Sequence, residues 1–273
     1  MKRYLFIILI AILVSFVSCG SGESKTGEVL VLIKTEFGEI KLKLYDDTPE
    51  HKKNFLKLAE EGFYDDLLFH RVIKNFMIQG GDPESKNAQA GVRLGGSSPG
   101  YTVPAEVVSK HFHKKGALAA ARKGGPSNPE KRSSGSQFYI VHGEIFSPGK
   151  LDTMAMMINN KKKNELMKER FTAAGNELNE FKKNQDQAGF NLRIAEIREE
   201  VDSMFSTMPK FKFTDAQIEA YTTIGGYPSL DGEYTVFGEV VEGLEVLDKI
   251  AGVETDTNNR PLSDVKMKVE IVK

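Results

Sequence analysis

Apolar and polar residues alternate along two runs near the start of the chain, residues 29–34 and 39–45, and the Phe37-Gly38 pair between them predicts a β-hairpin. Thr48-Pro49-Glu50 then supplies a cap, a proline for the first helical position and an early acid. Phe55, Leu58 and Ala59 follow at the spacing of one buried stripe, which predicts a helix running to Gly62. Further on, residues 118–121, 137–141, 235–241 and 265–272 read as strands and residues 244–250 as a second helix. Many strands with two helices suggest a closed antiparallel barrel capped at its ends.

Two stretches break this pattern. The first is N-terminal: Met1-Lys2-Arg3 is a short basic region, and residues 4–17 are almost wholly apolar, 14 residues against the roughly 20 that a spanning helix needs. It reads as a secretory signal, and Phe16-Val17-Ser18-Cys19 resembles a bacterial lipobox in which Cys19 would take a lipid. Residues 1–19 are thus expected to be a lipoprotein signal, and 20–28 (GSGESKTGE) a flexible tether. The second stretch, residues 150–208, has no proline and a high charge density. Met167, Phe171, Ala174, Leu178 and Phe181 form one heptad-like stripe and Ile194, Ile197, Val201, Met204 and Met208 another, with Gly189 between them. The expectation is a helical hairpin whose apolar stripes bury each other, followed after Pro209 by a shorter helix capped at Thr214-Asp215.

Composition narrows the chemistry. The 273 residues are 40% hydrophobic with a formal net charge of −1, and residues 147–228 hold 12 basic and 12 acidic side chains, so nucleic acid is not an expected partner. One cysteine excludes an intramolecular disulfide and a cysteine-based zinc site. The five histidines include the pair His111 and His113, but no carboxylate pattern accompanies them and no metal is expected.

The stretch that carries chemistry is FHRVIKNFMIQGGD, residues 69–82. On strand alternation Arg71 shares a face with Phe69 and Ile73, Met77 shares one with Gln79, and His70 turns to the opposite side as a structural residue. Gly80-Gly81 ends the second run. Three more motifs follow in order: GALAAAR (116–122), GSQFYI (135–140) and LDGEYTVFG (230–238). Together they resemble the cyclophilin-type peptidyl-prolyl isomerases, over roughly residues 29–146 and 228–272.

The resemblance implies a mainly β fold, a closed eight-stranded antiparallel barrel capped by two helices and formed by residues 29–146 and 229–273, with residues 147–228 as a helical insertion. It implies catalysis of rotation about X-Pro bonds with no cofactor and no metal. Arg71 would stabilise the twisted amide, and Gln79 would orient its guanidinium and bond the substrate carbonyl. Phe76, Met77, Tyr139 and Leu230 would hold the proline ring, with Tyr234 as an aromatic wall. Backbone groups of Ala121 and Arg122, with Gln137, would hold the preceding residues. Arg122 stands where many members carry Asn, Tyr139 where Phe is common, Tyr234 where His is common. Ser229 replaces a tryptophan of cyclosporin-sensitive relatives, which counts against strong inhibition by cyclosporin. The loop at 123–134 bears on access to the pocket.

The expected protein is an exported isomerase, lipid-anchored to a bacterial membrane through Cys19 and facing the periplasm or cell exterior. Its partners would be proline-containing segments of unfolded proteins, with a further protein partner for the helical insertion. The alternative is a non-catalytic proline-loop-binding module or holdase working through that insertion; Arg71 together with Gln79 favours catalysis, since binding alone needs no donor placed for a twisted amide.

Overall fold

The hairpin predicted at Phe37-Gly38 starts the chain: β1 (Leu30–Thr35) pairs antiparallel with β2 (Gly38–Leu44). Val31, Ile33, Ile40, Leu42 and Leu44 alternate inward and are buried. The structure is a computed structural model that describes residues 29–272; the proposed signal, Cys19 and the tether lie outside the described residues. Helix α1 (Pro49–Glu60) follows, then β3 (Leu67–Leu68), β4 (Arg71–Ile73), β5 (Met77–Gly80), β6 (Thr102–Val103), β7 (Ala117–Ala120), β8 (Ser133–Ser134) and β9 (Phe138–Val141). Four helices, α2 (Pro148–Ala173), α3 (Gly175–Lys183), α4 (Gln187–Thr207) and α5 (Asp215–Thr223), precede β10 (Val236–Glu242), α6 (Leu244–Ala251) and β11 (Lys266–Val272).

Nine strands form one curled antiparallel sheet in the order β3-β11-β1-β2-β10-β7-β9-β5-β4, and β6 pairs with β8. The expected closed eight-stranded barrel is corrected to this open ladder. Its edge strands β3 and β4 are consecutive in the chain, so Phe69 and His70 carry the backbone across the seam. Hydrogen bonding at the seam goes elsewhere: the Phe69 amide donates to the Val265 carbonyl at 2.9 Å and the Val72 amide to the Asn259 carbonyl at 2.8 Å.

Inside the curl, side chains from β1, β2 and β11 meet Phe138, Ile140, Ile78, Leu118 and Phe237, together with Phe55 and Leu58 of α1 and Leu247 and Ile250 of α6. The opposite face of β5, β7, β9 and β10 is also covered: Met77, Ala117, Ala119, Tyr139, Val141 and Val236 form a second apolar cluster outside the curl. These strands are apolar at successive positions because both faces are buried.

The cap of α1 differs from the expectation. Thr48 makes no side-chain bond to the first turn. Instead the Glu106 carboxylate, 56 residues away, accepts from the Glu50 amide at 3.0 Å and from the His51 amide at 2.9 Å. It also receives His51 Nδ1 at 2.6 Å, while His51 Nε2 meets Ser133 Oγ at 2.9 Å. A carboxylate reaching in from another loop satisfies the orphan amides more strongly than a neutral hydroxyl.

The insertion is helical as expected, but its turn lies at residues 184–186 and Gly189 sits inside the first turn of α4, where its amide donates to Asp186 Oδ1 at 2.8 Å. Asp186 caps better than a glycine would, and Gly189 is needed because a Cβ there would collide with the Phe181 ring. Ala174, Ile197 and Val201 are buried along the seam, with Met167, Phe171, Leu178, Phe181 and Ile194 half-buried; Met204 is exposed at 36%. Thr214 caps α5 in a reciprocal box with Gln217. At the base Phe146, Leu151, Phe213 and Tyr221 form a small core of their own.

Glu106→Ala should lower stability by about 1–2 kcal/mol by uncapping α1. Urea denaturation followed by circular dichroism checks this; an unchanged midpoint would show that water replaces the carboxylate without cost.

Candidate active site

Register places the site. Arg71 lies opposite Gln79 on β4 and β5, Gln79 opposite Tyr139 on β9, Tyr139 opposite Ala119 on β7, and Ala119 opposite Val236 on β10. Side chains of directly paired residues share a face. Since Phe138, Ile140, Ile78 and Leu118 point into the curl, this row faces outward, and the site is built on the outside of the sheet.

The pairing of Met77 and Gln79 on one face is as alternation requires. The expected pairing of Arg71 with Phe69 is not: Phe69 is buried in the inner core against Phe138, while Arg71 is half-buried on the outer face. Alternation fails there because Phe69 and His70 belong to the seam rather than to a strand. His70 is buried, and burial pushes its imidazole down to about 4 against the opposing pull of Asp82, so it is neutral beside the arginine.

A directed line of hydrogen bonds starts at Arg71. Its Nη1 donates to Gln79 Oε1 at 3.1 Å, Gln79 Nε2 donates to Gln137 Oε1 at 2.9 Å, and Gln137 Nε2 donates to the carbonyls of Ser97 at 2.6 Å and Gly95 at 3.2 Å. A guanidinium can only donate, so it fixes the orientation of both amides in turn. Gly95 is itself held by its amide donating to buried Asp82. Burial depresses the Arg71 pKa, yet a guanidinium starts from so high an ordinary value that it remains a cation.

Beside this line lies a cavity of about 280 Å³ lined by Arg71, Phe76, Met77, Gln79, Ala121, Arg122, Tyr139, Leu230 and Tyr234, which brings together every expected site residue except Gln137. Gln137 lines an adjoining cavity of about 520 Å³, shared through Gln79, Gly95, Ala121 and Arg122. The Phe76 ring lies 5.7 Å from the Arg71 guanidinium and 4.3 Å from Tyr227. Tyr139 and Tyr234 meet edge to face at 5.9 Å.

The backbone positions differ from each other. The Ala121 amide donates to the Gln137 carbonyl at 3.0 Å and its carbonyl accepts from Ser134 at 2.8 Å, whereas the Arg122 amide has no acceptor among the described residues. The Arg122 side chain turns away to Glu233, donating to its carbonyl at 2.9 Å and its carboxylate at 3.1 Å, and covers the Tyr234 ring at 4.5 Å. Sequence reasoning missed Leu94, Gly95 and Tyr227, which lie in loops without periodicity, and the partners of Tyr139: its hydroxyl meets His113 Nε2 at 2.9 Å. The His111 and His113 rings go separate ways, His111 to Asp47 at 2.7 Å and His113 to Asp231 at 2.9 Å.

The profile of the family described as cyclophilin type peptidyl-prolyl cis-trans isomerase/CLD matches residues 30–271. A Streptococcus pyogenes protein named as a bifunctional phosphatase/peptidyl-prolyl cis-trans isomerase is 33% identical over 247 residues, covering 89% of this chain but only 38% of that protein. A Staphylococcus aureus protein named as a peptidyl-prolyl cis-trans isomerase is 28% identical over 245 residues, 89% of this chain and 91% of its own length. Among solved structures, a Cryptosporidium parvum cyclophilin-type isomerase superposes with a TM-score of 0.52 at 20% identity, covering 90% of this chain and 98% of that one. The same isomerase determined in the presence of the dipeptide Ala-Pro gives 0.50. These last two likenesses concern the fold, a curled antiparallel sheet with helices. From a family profile that spans almost all of the described residues, the chain belongs to the cyclophilin-type peptidyl-prolyl cis-trans isomerases.

Proposed function

We propose that Arg71 is the catalytic residue of this peptidyl-prolyl cis-trans isomerase and that its substrates are proline-containing segments of proteins folding outside the cytoplasm. An X-Pro amide resists rotation by about 18–20 kcal/mol because its nitrogen lone pair is delocalised into the carbonyl. In the twisted state the lone pair returns to nitrogen, and a donor fixed near that nitrogen binds this state better than either planar one. The observation that carries the assignment is the half-buried Arg71 guanidinium, held by Gln79 at 3.1 Å on the wall of the 280 Å³ cavity. Phe76, Met77, Tyr139, Leu230 and Tyr234 hold the proline ring while the acyl side turns. Gln79 and Gln137, with the Arg122 amide, meet the residues that precede it. No bond is made or broken, so no nucleophile or proton carrier is called for.

Arg71→Ala should lower kcat/KM on an X-Pro tetrapeptide by about 10²–10³-fold in a protease-coupled assay, with stability changed by about 1 kcal/mol or less. Arg71→Lys should also be poor, because a point charge does not reproduce the planar fork. A folded Arg71→Ala variant working at the wild-type rate would refute the role.

Export and lipid anchoring rest on the N-terminal sequence: an apolar run ends at Ser18-Cys19-Gly20 and a polar tether follows. Mass spectrometry of the membrane fraction should find an acylated Cys19 as the first residue. An unmodified N-terminus at another position would rule out the anchor.

The insertion is assigned to holding protein clients or a partner. In support, α2 has 26 residues, an arm of about 39 Å at 1.5 Å per residue, and carries Met156 and Met157 at 58% and 65% exposure, flexible apolar side chains suited to varied partners. The 2.5 Å ion pair of Lys163 with Asp202 brings the two long helices together partway along, so a short Gly/Ser linker can replace residues 164–201 and spare the base. That variant should keep tetrapeptide kcat/KM within about twofold while refolding a proline-limited protein more slowly than wild type. Equal refolding by both proteins would leave the arm beyond residue 163 without a client role and confine any such role to the stretch that carries Met156 and Met157.

A further inference from the structure

The floor of the proline cavity continues downward as a buried polar chain. The Tyr139 hydroxyl meets His113 Nε2 at 2.9 Å, His113 Nδ1 meets Asp231 Oδ1 at 2.9 Å, and Asp231 Oδ2 takes the Tyr221 hydroxyl at 2.5 Å and Gln217 Nε2 at 3.2 Å. The His113 amide adds a further bond to Asp231 Oδ1 at 2.8 Å. His113 and Tyr221 are fully buried and Gln217 nearly so. Asp231 as a carboxylate only accepts, so it holds the proton on Nδ1 and leaves Nε2 to accept from the Tyr139 hydroxyl. Burial pushes both phenols, Tyr139 and Tyr221, well up, which keeps each of them a donor. With the imidazole neutral, each link has one direction.

Two parts of the cavity hang from this carboxylate. Tyr139 is its floor, reached through the His113 ring, which stacks on it at 14°. Leu230, a wall residue, is bonded directly to Asp231. The carboxylate's other oxygen belongs to α5, the last helix of the insertion, through Tyr221 and Gln217. The base of the insertion is thus wired into the pocket, although neither Tyr221 nor Gln217 lines it.

We propose that His113 and Asp231 are positioning residues for the proline cavity and that α5, through Tyr221 and Gln217, completes their support, so that the seating of the insertion sets how tightly proline is held. The assignment rests on the reading of Arg71 and its cavity as the isomerase site. It also divides the insertion: the distal arm beyond residue 163 is free of the pocket, and the base is part of it. Whatever loads the arm and shifts α5 changes proline affinity through Asp231.

A double-mutant cycle tests the chain. Tyr221→Phe removes one hydroxyl and keeps the ring packed against Phe146 and Phe213; it should raise KM for an X-Pro tetrapeptide about threefold to tenfold with kcat changed less, and weaken peptide binding measured by NMR titration equally. In a Tyr139→Phe background, where the chain is cut at the pocket end, the same substitution should add nothing. Gln217→Glu is the second probe should Tyr221→Phe fold poorly: it keeps the acceptor that caps α5 and replaces the donor to Asp231, with the same expected pattern. No effect of either probe, or an equal effect in both backgrounds, would overturn the proposal, since α5 would then act by packing alone. Arg71→Ala in the same assay separates the two readings. A wild-type rate there sinks the site assignment and this inference with it, whereas loss of activity there with silent Tyr221 and Gln217 variants sinks only the coupling.

Discussion

The site depends on one constraint: a guanidinium has no acceptor. Arg71 can only donate, so Gln79 must turn its oxygen toward Arg71 and its amide toward Gln137, and Gln137 must in turn face the carbonyls of Gly95 and Ser97. One permanent charge orders two side chains and a loop that belong to three separate parts of the sequence. The second glycine after Gln79 serves the same arrangement. Gly81 has φ +86, and a Cβ there would overlap the Ser136 carbonyl oxygen, so the chain can pass close under the start of β9 only without a side chain.

A rigid donor of this kind needs a sheet that is apolar on both faces. The inner face of β5, β7 and β9 closes the core with Phe138 and Ile140, and the outer face carries Met77, Ala119 and Tyr139 beneath the cavity. Packing on two sides leaves these strands no room to shift, and a fixed donor is what favours a twisted amide over a planar one. The neighbouring His70 imidazole adds no charge beside the Arg71 guanidinium, because burial pushes it down to about 4.

The insertion lies in the chain between β9 and Leu230. Its base is joined to the sheet by more than chain connectivity. Gly226 bridges to both Lys114 and Glu144, and Asp231 collects donors from His113, Gln217 and Tyr221. A partly buried carboxylate needs several donors to offset its desolvation, and here those donors come from the loop that holds His113 and from the insertion together.

The sequence by itself determined the family, the strands and helices with strong periodicity, and the residues gathered around the cavity, because the four motifs and the alternation of apolar positions are local properties. Thr214 was legible as a cap for the same reason, whereas its reciprocal partner Gln217 came only with the structure. The tertiary structure alone decided the open seam at Phe69 and His70, which reverses the face expected of Phe69, since alternation holds only where the backbone stays in a strand. It decided that Glu106 rather than Thr48 caps α1, and that Asp186 rather than Gly189 turns the insertion. It also joined Tyr139 to His113, Asp231 and Tyr221. The links span 26 residues from Tyr139 to His113, 118 from His113 to Asp231 and 10 from Asp231 to Tyr221, and no periodicity records a contact made by side chains that only the fold brings together.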